Sequence, residues 1–544
     1  IELDAEVRRF TFRPDPNFLW GQRYPNSVYH LTVATPVEAI GGDELLYQDG
    51  QTRNGAYVAF RTGKTRELVF SVTGSLASAD TATALAARYA NGIDEDTLLA
   101  PAESFWRDLA GGRRFVEPSF DTLLPWLVHD AMIHLTVPHG LEQYTGGAWG
   151  TRDVCQGPVE ALLALGRPEP VRSILDTVFA QQYETRGDWP QWFMLEPYSI
   201  IQARESHGDV IVWPLKALCD YVEATGDLDF LDAQVAWRDL ETLERTARTD
   251  TVTAHIERLI RTVTERFIPG THLIRLGEGD WNDSLQPADP ALRDRMVSAW
   301  TVGLLCQQLR RWAAILTRRG RESGAVEGLA EAMAGDFRRL LMRDGVVAGY
   351  AIFDAPGTAP ELLIHPSDTR TGLRYSLLPM TQGILGGLFT PAEAKHHAEL
   401  VRAHLTDPDG TRLLDRPPEY RGGVETLFRR AESASYLGRE IGLMYVHSHL
   451  RWAEALAKLG DIDGSRDALL AVDPVGVAGR LAHGAPRQRN TYFSSSDAGF
   501  LDRYAAQEEW QRVHDGTIPV EGGWRIYSSG PGLFTNLLVR QFGR

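Results

Sequence analysis

The sequence is poor in cysteine, and the spacing of its cysteines excludes the common cysteine-based sites. Among 544 residues there are three, Cys155, Cys219 and Cys306, and they form neither a CxxC pair nor a zinc-ligand spacing. Each lies in an apolar run with helical spacing, so we expect buried thiols. A sparse, odd set of cysteines is typical of a reducing compartment, and we therefore expect a cytoplasmic protein.

Long apolar runs and a basic excess are missing as well. No run reaches the roughly 18–20 apolar residues of a membrane span, so we expect no membrane partner. The formal net charge of −16 repels phosphate backbones, which argues against nucleic acid as a partner. We find no signal peptide, but the chain begins at Ile1 rather than Met, so loss of a leader stays open.

Cofactor motifs are absent from the sequence too. There is no GxGxxG after a predicted strand, no P-loop and no cluster of metal ligands, so we expect no cofactor and no metal site. No low-complexity segment and no fixed repeat is visible, which makes a solenoid the weaker architecture.

Tryptophan, by contrast, is abundant, with 14 copies. Its side chain is a flat apolar plate with one polar end, which suits the C–H face of a sugar ring. Several copies stand beside polar residues: Trp149, Trp189, Trp192, Trp213, Trp281 and Trp524. Core packing explains any one of them equally well. As a group they favour a sugar-stacking pocket.

The first part of the chain is predicted to be a β-domain. Short β-branched or aromatic segments at 7–12, 27–35, 56–61 and 67–73 are separated by Gly, Asp, Asn and Pro turns. We expect residues 1–78 to form a β-sandwich-like domain that is incomplete. Helices near 81–91 and 101–109 then predict a helical linker over 79–117.

From residue 118 onward the apolar pattern is helical. Helices are predicted near 156–166, 168–183, 211–225, 252–267, 293–319, 324–342, 375–388, 391–405, 440–458 and 461–471. So many paired helices are too many for one bundle and favour two concentric rings, an (α/α)6 barrel over 118–515. The segment 516–544 is predicted to close the site, which loops at one end of the barrel would form.

The loop richest in candidate chemistry is at residues 276–285 (LGEGDWNDSL), here called the acid loop. It places Glu278, Asp280 and Asp283 within six residues, around Trp281 and between glycines. Neighbouring carboxylates and an indole wall raise carboxyl pKa values, which suits a general acid. A structural Asp-rich turn is the alternative. A calcium loop does not fit, because the D-x-D-x-D-G spacing with a later Glu is missing.

This loop and several others, taken in order, resemble the inverting glycoside phosphorylases of the cellobiose and chitobiose phosphorylase type (glycoside hydrolase family 94 and its clan relatives). The match extends over residues 118–540, and its most specific element is Gly-Asp-Trp-Asn-Asp. The other matching segments are 151–156 (TRDVCQ), 208–213 (GDVIVW), 225–232 (TGDLDFLD), 440–447 (EIGLMYVH) and 527–530 (YSSG).

The resemblance assigns roles to single residues. It implies that Asp283 is the general acid. For the sugar in the −1 subsite it implies Trp281, Arg152, Asp153 and Gln156, and for the +1 sugar Glu440 and Tyr445. Asp209 and Trp213 are implied as further substrate-binding residues. For phosphate it implies Ser528, Ser529 and Gly530, with His483 as a looser match for which a surface histidine is an equal alternative. It also implies a homodimer through the β-domain.

The implied reaction is phosphorolysis of a β-linked gluco-oligosaccharide, with inorganic phosphate as co-substrate and no other cofactor. Phosphate is the nucleophile, so one protein carboxylate suffices. An inverting hydrolase or transglycosylase on the same scaffold would need a second carboxylate, for which Glu440, Asp497 and Glu278 are candidates. A catalytically silent sugar-binding protein is the third alternative.

The sequence also departs from the family pattern. A family arginine is replaced by Gly147, a family glutamate after the acid loop by Val297, and a threonine of the phosphate turn by Ser529. Phosphate binding also needs a cation, for which the candidates are Arg487, Arg489 and Arg525. These changes affect the predicted use of phosphate and the predicted identity of the substrate. They do not affect Asp283, the predicted general acid.

Overall fold

The computed structural model describes residues 1–136, 148–196, 198–486, 494–522 and 529–543. The chain divides into two compact units, Ile1–Trp106 and Arg107–Arg544. This division falls inside the segment predicted as a linker. The domain limits predicted at 78, 117 and 515 stay predictions.

The first unit is built on short strands. β1, β2, β3 and β6 form one antiparallel sheet in that order, and β4 pairs with β5. The side chains of β3 alternate between buried and half-buried, as the period of two in its sequence requires. The four predicted strands are confirmed, each shorter than predicted, whereas a sandwich of two packed sheets stays a prediction. The strands are β1 (Glu2–Asp4), β2 (Arg9–Phe12), β3 (Val28–Val33), β4 (Ala39–Gly41), β5 (Ala59–Arg61) and β6 (Phe70–Ser75).

The chain is mainly helical beyond these strands, and the predicted helices are confirmed. The starts predicted at 293 and 440 are wrong by six residues, because residues 296–298 and 444–445 pair as short strands before the helices begin. In chain order the α-helices of the described residues are α1 (Leu19–Arg23), α2 (Ala79–Arg88), α3 (Glu95–Ala110), α4 (Pro118–Thr136), α5 (Thr151–Val154), α6 (Gly157–Ala164), α7 (Pro168–Phe179), α8 (Trp213–Thr225), α9 (Val252–Glu265), α10 (Ala299–Arg318), α11 (Gly324–Leu341), α12 (Leu377–Leu385), α13 (Pro391–His404), α14 (Arg429–Ser433), α15 (Val446–Lys458), α16 (Ile462–Ala471), α17 (Val477–Arg480), α18 (Arg503–Glu508), α19 (Gln511–His514) and α20 (Ser529–Leu537).

Six of these helices close a ring in the second unit. Helix α6 packs against α8, α8 against α10, α10 against α12, α12 against α15, α15 against α20, and α20 against α6. A second layer lies outside it: α4 and α7 pack on α6, α11 on α10, α13 on α12 and α16 on α15, while α9 lies between α8 and α10 in the chain. The predicted helical barrel is therefore confirmed.

The ring closes where α6 and α20 cross. A Cβ on Gly157 would overlap the backbone of Ser529, and a Cβ on Gly532 would overlap the backbone of Gly157. Only glycine permits this close approach of two helix backbones. Helix α20 lies in the segment that was predicted only to close the site, and it also completes the inner ring.

Short strand pairs lie in the connections between the helices, and several of them adjoin the acid loop. They are β7 (Trp149–Gly150), β8 (Trp192–Phe193), β9 (Gln202–Ala203), β10 (Gln234–Arg238), β11 (Arg245–Thr251), β12 (Met296–Ser298), β13 (Met342–Arg343), β14 (Val346–Val347), β15 (Tyr350–Ile352), β16 (Glu361–Leu363), β17 (Thr406–Asp407), β18 (Gly410–Thr411), β19 (Met444–Tyr445), β20 (Ser495–Ala498) and β21 (Val520–Gly522).

Cys155, Cys219 and Cys306 are free and buried, which confirms the predicted buried thiols. Burial raises the pKa of each thiol, to about 11 for Cys306, to about 12 for Cys219 and further still for Cys155. In the described ranges, no helix combines the length and the apolar character needed to cross a bilayer. The cytoplasmic location stays a prediction.

Candidate active site

The acid loop is held by its neighbours on two sides. On one side, the backbone N–H of Gly208 donates to the Gly279 carbonyl at 2.8 Å. A Cβ at Gly208 would lie 2.5 Å from the Leu276 carbonyl oxygen, so glycine is required at this contact. On the other side, the N–H of Ala431 donates to the Ser284 carbonyl at 2.9 Å. Both segments that fix the loop come from distant parts of the chain.

Asp280 anchors the loop in the protein interior and is 1% exposed. Its carboxylate accepts hydrogen bonds from Ser298 Oγ at 2.6 Å, from Tyr350 Oη at 2.9 Å and from the backbone N–H of Asn282 at 2.8 Å. Burial is the largest cause that raises the pKa of Asp280 to about 6, and the charge of Asp209 acts in the same direction. The raised carboxyl pKa that the sequence predicts for this loop thus occurs at Asp280.

Asp283 lies between two basic side chains. Its Oδ1 is 3.2 Å from Nη2 of Arg152 and 3.3 Å from Nδ1 of His207. The side chain of Asp283 remains 20% exposed, whereas Asp280 is fully enclosed. We call the end of the barrel at which the acid loop lies the barrel mouth. Of the two aspartates in the loop, Asp283 is the one that a ligand in this mouth can reach.

Arg152 connects three parts of the site. It lies in α5 and is 5% exposed. Besides Asp283, its guanidinium reaches Asp209 Oδ2 at 3.4 Å and donates to the Asp280 carbonyl at 3.1 Å. Asp209 is fully buried and accepts from Trp213 Nε1 at 2.9 Å. Within the described residues, Asp209 Oδ1 has no hydrogen-bond partner, so this carboxylate is only partly compensated.

Trp281 forms the aromatic wall of the mouth. Its ring stands edge-on to Tyr445 at a centroid distance of 5.3 Å and to His447 at 4.9 Å. Burial lowers the pKa of His447 well below its ordinary value, so this imidazole is neutral. Its Nε2 lies 2.9 Å from Oε1 of Gln156, which is fully buried. Glu440 is 4% exposed and accepts from Ser284 Oγ at 2.8 Å.

The predicted sugar and phosphate residues meet at the crossing of α6 and α20. Ser529 Oγ donates to Asp153 Oδ1 at 3.0 Å. Gly530 follows in the first turn of α20. Ser528 lies outside the described residues, as do Arg487, Arg489 and Arg525.

His483 is not brought to this place by any contact of the described residues. Its backbone carbonyl accepts from the N–H of Val520 at 3.1 Å, and its side chain is exposed. A role for His483 in phosphate binding stays a prediction.

The inner helices begin at the same end of the barrel. Gln156 precedes α6 and touches His447 in the first turn of α15, while Trp213 at the start of α8 lies 6.2 Å from Trp300 at the start of α10. Ser529 starts α20 and touches Asp153 beside α6. Helix N-termini carry partial positive charge, so their convergence favours an anion at this mouth.

Below Trp281 a cavity of about 220 Å³ extends between the inner helices. Its deeper wall carries a network of paired charges. Lys216 Nζ lies 2.7 Å from Glu160 and 2.6 Å from Asp220, and Arg451 lies 2.6 Å from Glu160. Burial alone would raise the pKa of Glu160, but Arg451 and Lys216 outweigh it and hold that pKa below its ordinary value. Asn536 of α20 adds a hydrogen bond to Glu160 at 3.0 Å.

The carboxylates considered for a second catalytic role differ in placement. Glu278 is ion-paired with Arg293 and is 35% exposed, on the outside of the loop. Glu440 is buried beneath the loop, and Asp497 on β20 accepts from Ser495 Oγ at 3.0 Å. In the described ranges no group of three or more His, Cys, Asp or Glu side chains is arranged to hold a metal ion.

Sequence reasoning missed several residues that build the site. His207, Ser298 and Tyr350 were not singled out, although each touches an acid-loop aspartate. The sequence did point to their neighbourhood in two cases, because His207 directly precedes the matching segment 208–213 and Ser298 lies 15 residues after Asp283. For Tyr350 the chain gave no signal, because its contact joins segments 70 residues apart. Glu432 is a further case: it is 6% exposed, and its carboxylate accepts from the N–H groups of Leu427 and Phe428 at 3.0 Å, which orders the segment that pairs with the acid loop.

The chain is similar to a known phosphorylase. It is 46% identical over 414 residues to a 1,2-beta-oligoglucan phosphorylase of Listeria innocua serovar 6a. The matched region is 76% of this chain and 38% of that relative, so the chain spans well under half of the relative's length. This identity supports homology to a glycoside phosphorylase. No protein-family model matches the chain, and membership of glycoside hydrolase family 94 stays a prediction.

Solved structures give a more distant likeness. A glycosidase variant in complex with glucose has a TM-score of 0.48 at 13% identity, and the alignment covers 79% of this chain and 100% of that one. A rhamnosidase from Klebsiella oxytoca with rhamnose bound has a TM-score of 0.46 at 11% identity, with 99% and 97% covered. At these values no assignment follows from the likeness.

Proposed function

We propose that the protein is an inverting glycoside phosphorylase that cleaves a β-linked gluco-oligosaccharide with inorganic phosphate. The observation that carries this proposal is the position of Asp283, partly exposed and in contact with Arg152 and His207, beside the Trp281 wall. The similarity to an enzyme named 1,2-beta-oligoglucan phosphorylase favours a β-1,2-linked oligoglucan as the substrate class.

The proposed reaction uses one protein carboxyl group. Asp283 donates its proton to the glycosidic oxygen as the bond from that oxygen to the anomeric carbon breaks. A phosphate oxygen attacks the same carbon from the opposite face and forms the new bond. The products are a shortened oligosaccharide with a free hydroxyl and a sugar 1-phosphate of inverted configuration. Asp283 is left as a carboxylate, which Arg152 and His207 then stabilise until it regains a proton from solvent.

The barrel mouth offers what the two substrates require. Trp281 and Tyr445 present aromatic surface to a sugar ring, and Asp153 with Gln156 presents polar atoms to its hydroxyls. For phosphate, the proposal assigns Ser529 and Gly530 in the first turn of α20, with Ser528 before them. The converging helix N-termini add positive potential without a metal ion. The predicted homodimer is not part of this assignment and stays a prediction.

The test is phosphate dependence. The protein is incubated with β-1,2-, β-1,3- and β-1,4-linked gluco-oligosaccharides, with and without inorganic phosphate, and the products are separated by chromatography. We expect sugar 1-phosphate from the β-1,2-linked series and only when phosphate is present. Free sugar at equal rates with and without phosphate would contradict the proposal and favour hydrolysis, with Glu440 or Asp497 as the activating base.

A further inference from the structure

His207 makes two contacts through one ring nitrogen. Its Nδ1 lies 2.9 Å from the carbonyl oxygen of Asp280 and 3.3 Å from Oδ1 of Asp283. The side chain is 13% exposed, so little water competes for these contacts. Because a backbone carbonyl can only accept, Nδ1 must carry the hydrogen.

The other side of the ring fixes the tautomer. Nε2 of His207 lies 3.2 Å from the side-chain amide of Gln286. The neutral ring accepts from the amide N–H there, and a protonated ring would donate to the amide oxygen after the amide turns. In either charge state Nδ1 keeps its hydrogen, which donates to the Asp280 carbonyl and faces Asp283 Oδ1 at 3.3 Å.

The backbone also holds His207 against the acid loop. Its N–H donates to Oε1 of Gln191 at 2.9 Å, and it forms an isolated β-bridge with Gly277. The next residue, Gly208, makes the close backbone contact with Leu276 that is described above. The imidazole is therefore placed by its own segment and does not depend on Asp283 for its position.

We propose that His207 is a positioning residue: its Nδ1–H bond orients the carboxyl group of Asp283 for proton donation to the glycosidic oxygen. This inference rests on the proposed function of Asp283. Arg152 and Asp209 are the other charged groups that act on the ring, and Arg152 reaches the same carboxylate oxygen. Two basic side chains in contact with one oxygen restrict the rotation of the carboxyl group more than Arg152 alone.

Charge supports the same contact. Burial alone would lower the pKa of His207, but the hydrogen bond and the negative charge of Asp283 outweigh it, so that the pKa is raised.

The test compares His207→Asn, His207→Gln and His207→Ala. The amide nitrogen of Asn lies as many bonds from the backbone as Nδ1 of histidine, whereas that of Gln corresponds to Nε2. We expect His207→Asn to keep kcat within about threefold of the wild type, while the other two lose roughly 10- to 100-fold in kcat with little change in KM. Equal losses in the Asn and Gln variants, or a loss confined to KM, would overturn the inference.

The matched control is another histidine that contacts an aspartate through Nδ1. His272 lies 3.0 Å from Asp336, is 50% exposed and does not touch the acid loop. We expect His272→Asn and His272→Gln to leave kcat unchanged. Urea midpoints of all variants separate loss of fold from loss of orientation.

A second readout does not require activity. The His207 imidazole is followed by NMR of histidine-labelled protein and assigned by its absence from the His207→Asn spectrum. Asp283→Asn should lower the pKa of His207, and an unchanged titration would show that the contact is not formed. If the wild type yields no sugar 1-phosphate at all, the proposed function fails, and this readout still decides whether the contact exists.

Discussion

The barrel mouth and the barrel interior both contain buried charges, but these charges are compensated to different degrees in the two regions. In the interior, Glu160 meets Lys216, Arg451 and Asn536, and each of its oxygens is paired. At the mouth, the carboxylate of Asp280 receives neutral donors and, among the described residues, pairs with no cation, so burial and the charge of Asp209 raise its pKa to about 6. Fully compensated charges hold helices together, whereas a partly compensated cluster keeps its carboxyl groups ready to exchange protons.

The two regions share their supporting helices. Helix α6 carries Gly157 at the mouth and Glu160 one turn further in, while α20 carries Ser529 at the mouth and Asn536 beside Glu160. The interior network therefore sets the geometry on which the mouth is built. Substitutions in the two regions should consequently differ in kind: those at the mouth reduce the rate, and those in the interior reduce stability.

The largest effect is expected at the proton donor. Asp283→Asn should lower kcat by about 10²- to 10⁴-fold while the fold is retained, because general acid catalysis is lost. Release of sugar 1-phosphate measures the rate. Glu278→Gln is the matched control, since Glu278 is in the same loop but is paired with Arg293 outside it. A comparable loss of kcat in both variants would mean that the rate depends on the total negative charge of the loop and not on proton donation by Asp283.

An interior substitution should affect stability instead. Glu160→Gln leaves Lys216 and Arg451 with less compensation, and we expect a loss of about 3–5 kcal/mol in the free energy of unfolding, measured with urea. The exposed pair of Glu361 and Arg370 serves as the control, and Glu361→Gln should cost about 1 kcal/mol or less. Equal costs would remove the distinction between the interior network and an ordinary surface pair.

The anchor of the acid loop should show a pH-dependent effect. Asp280 has a folded-state pKa of about 6, above its ordinary value, so its contribution to stability is full at low pH and is lost as pH rises through 6. Tyr350→Phe removes a donor to the charged form and should raise this pKa further. We expect a cost of about 1.5–3 kcal/mol at pH 8 and a smaller one at pH 5, measured by urea unfolding.

The exposed Tyr57 provides the control for this pH dependence, because its hydroxyl does not touch Asp280. Tyr57→Phe should have the same small effect at both pH values. A Tyr350→Phe cost that is larger at pH 5 than at pH 8 would contradict the assigned pKa direction.

The smallest effect is expected at the crossing that joins the two regions. Gly157→Ala forces α6 and α20 apart, and overpacking of this kind costs about 1–3 kcal/mol. It should also weaken the contact between Asp153 and Ser529, and so raise the KM for phosphate. Gly328→Ala in α11 meets no atom within 4 Å and should stabilise the helix by up to about 1 kcal/mol. Equal stability of the two variants would mean that the helices do not need their close approach.

The fold was predictable wherever local pattern and packing agree. Helices such as α9 and α11 carry an apolar face of period 3.6, and their predicted ends are close to the observed ones. Helix α20 was missed because its first four residues, Ser-Gly-Pro-Gly, oppose helix formation. Its helicity depends on packing against Gly157, which no local pattern reveals. The two-residue strands β8 and β9 likewise exist only through pairing with β7 and with each other.

For the site, residue types and spacing indicated the acid loop, and the resemblance indicated partners such as Arg152 and Asp209. The structure brings these together, yet their catalytic roles remain predictions. Tyr350 lies 70 residues from Asp280 and His207 lies 76 residues before Asp283, so their approach depends on how the barrel closes. Spacing along a single sequence contains no record of such contacts.

The central claim, that Asp283 donates the proton to the leaving oxygen, is tested most directly by changing the leaving group. Wild type and Asp283→Asn are compared on a β-linked gluco-oligosaccharide and on an aryl β-glucoside whose phenol leaves without protonation. We expect the variant to lose about 10²- to 10⁴-fold on the oligosaccharide but far less on the activated glucoside. An equal loss on both substrates would show that Asp283 binds or orients the sugar and is not the acid.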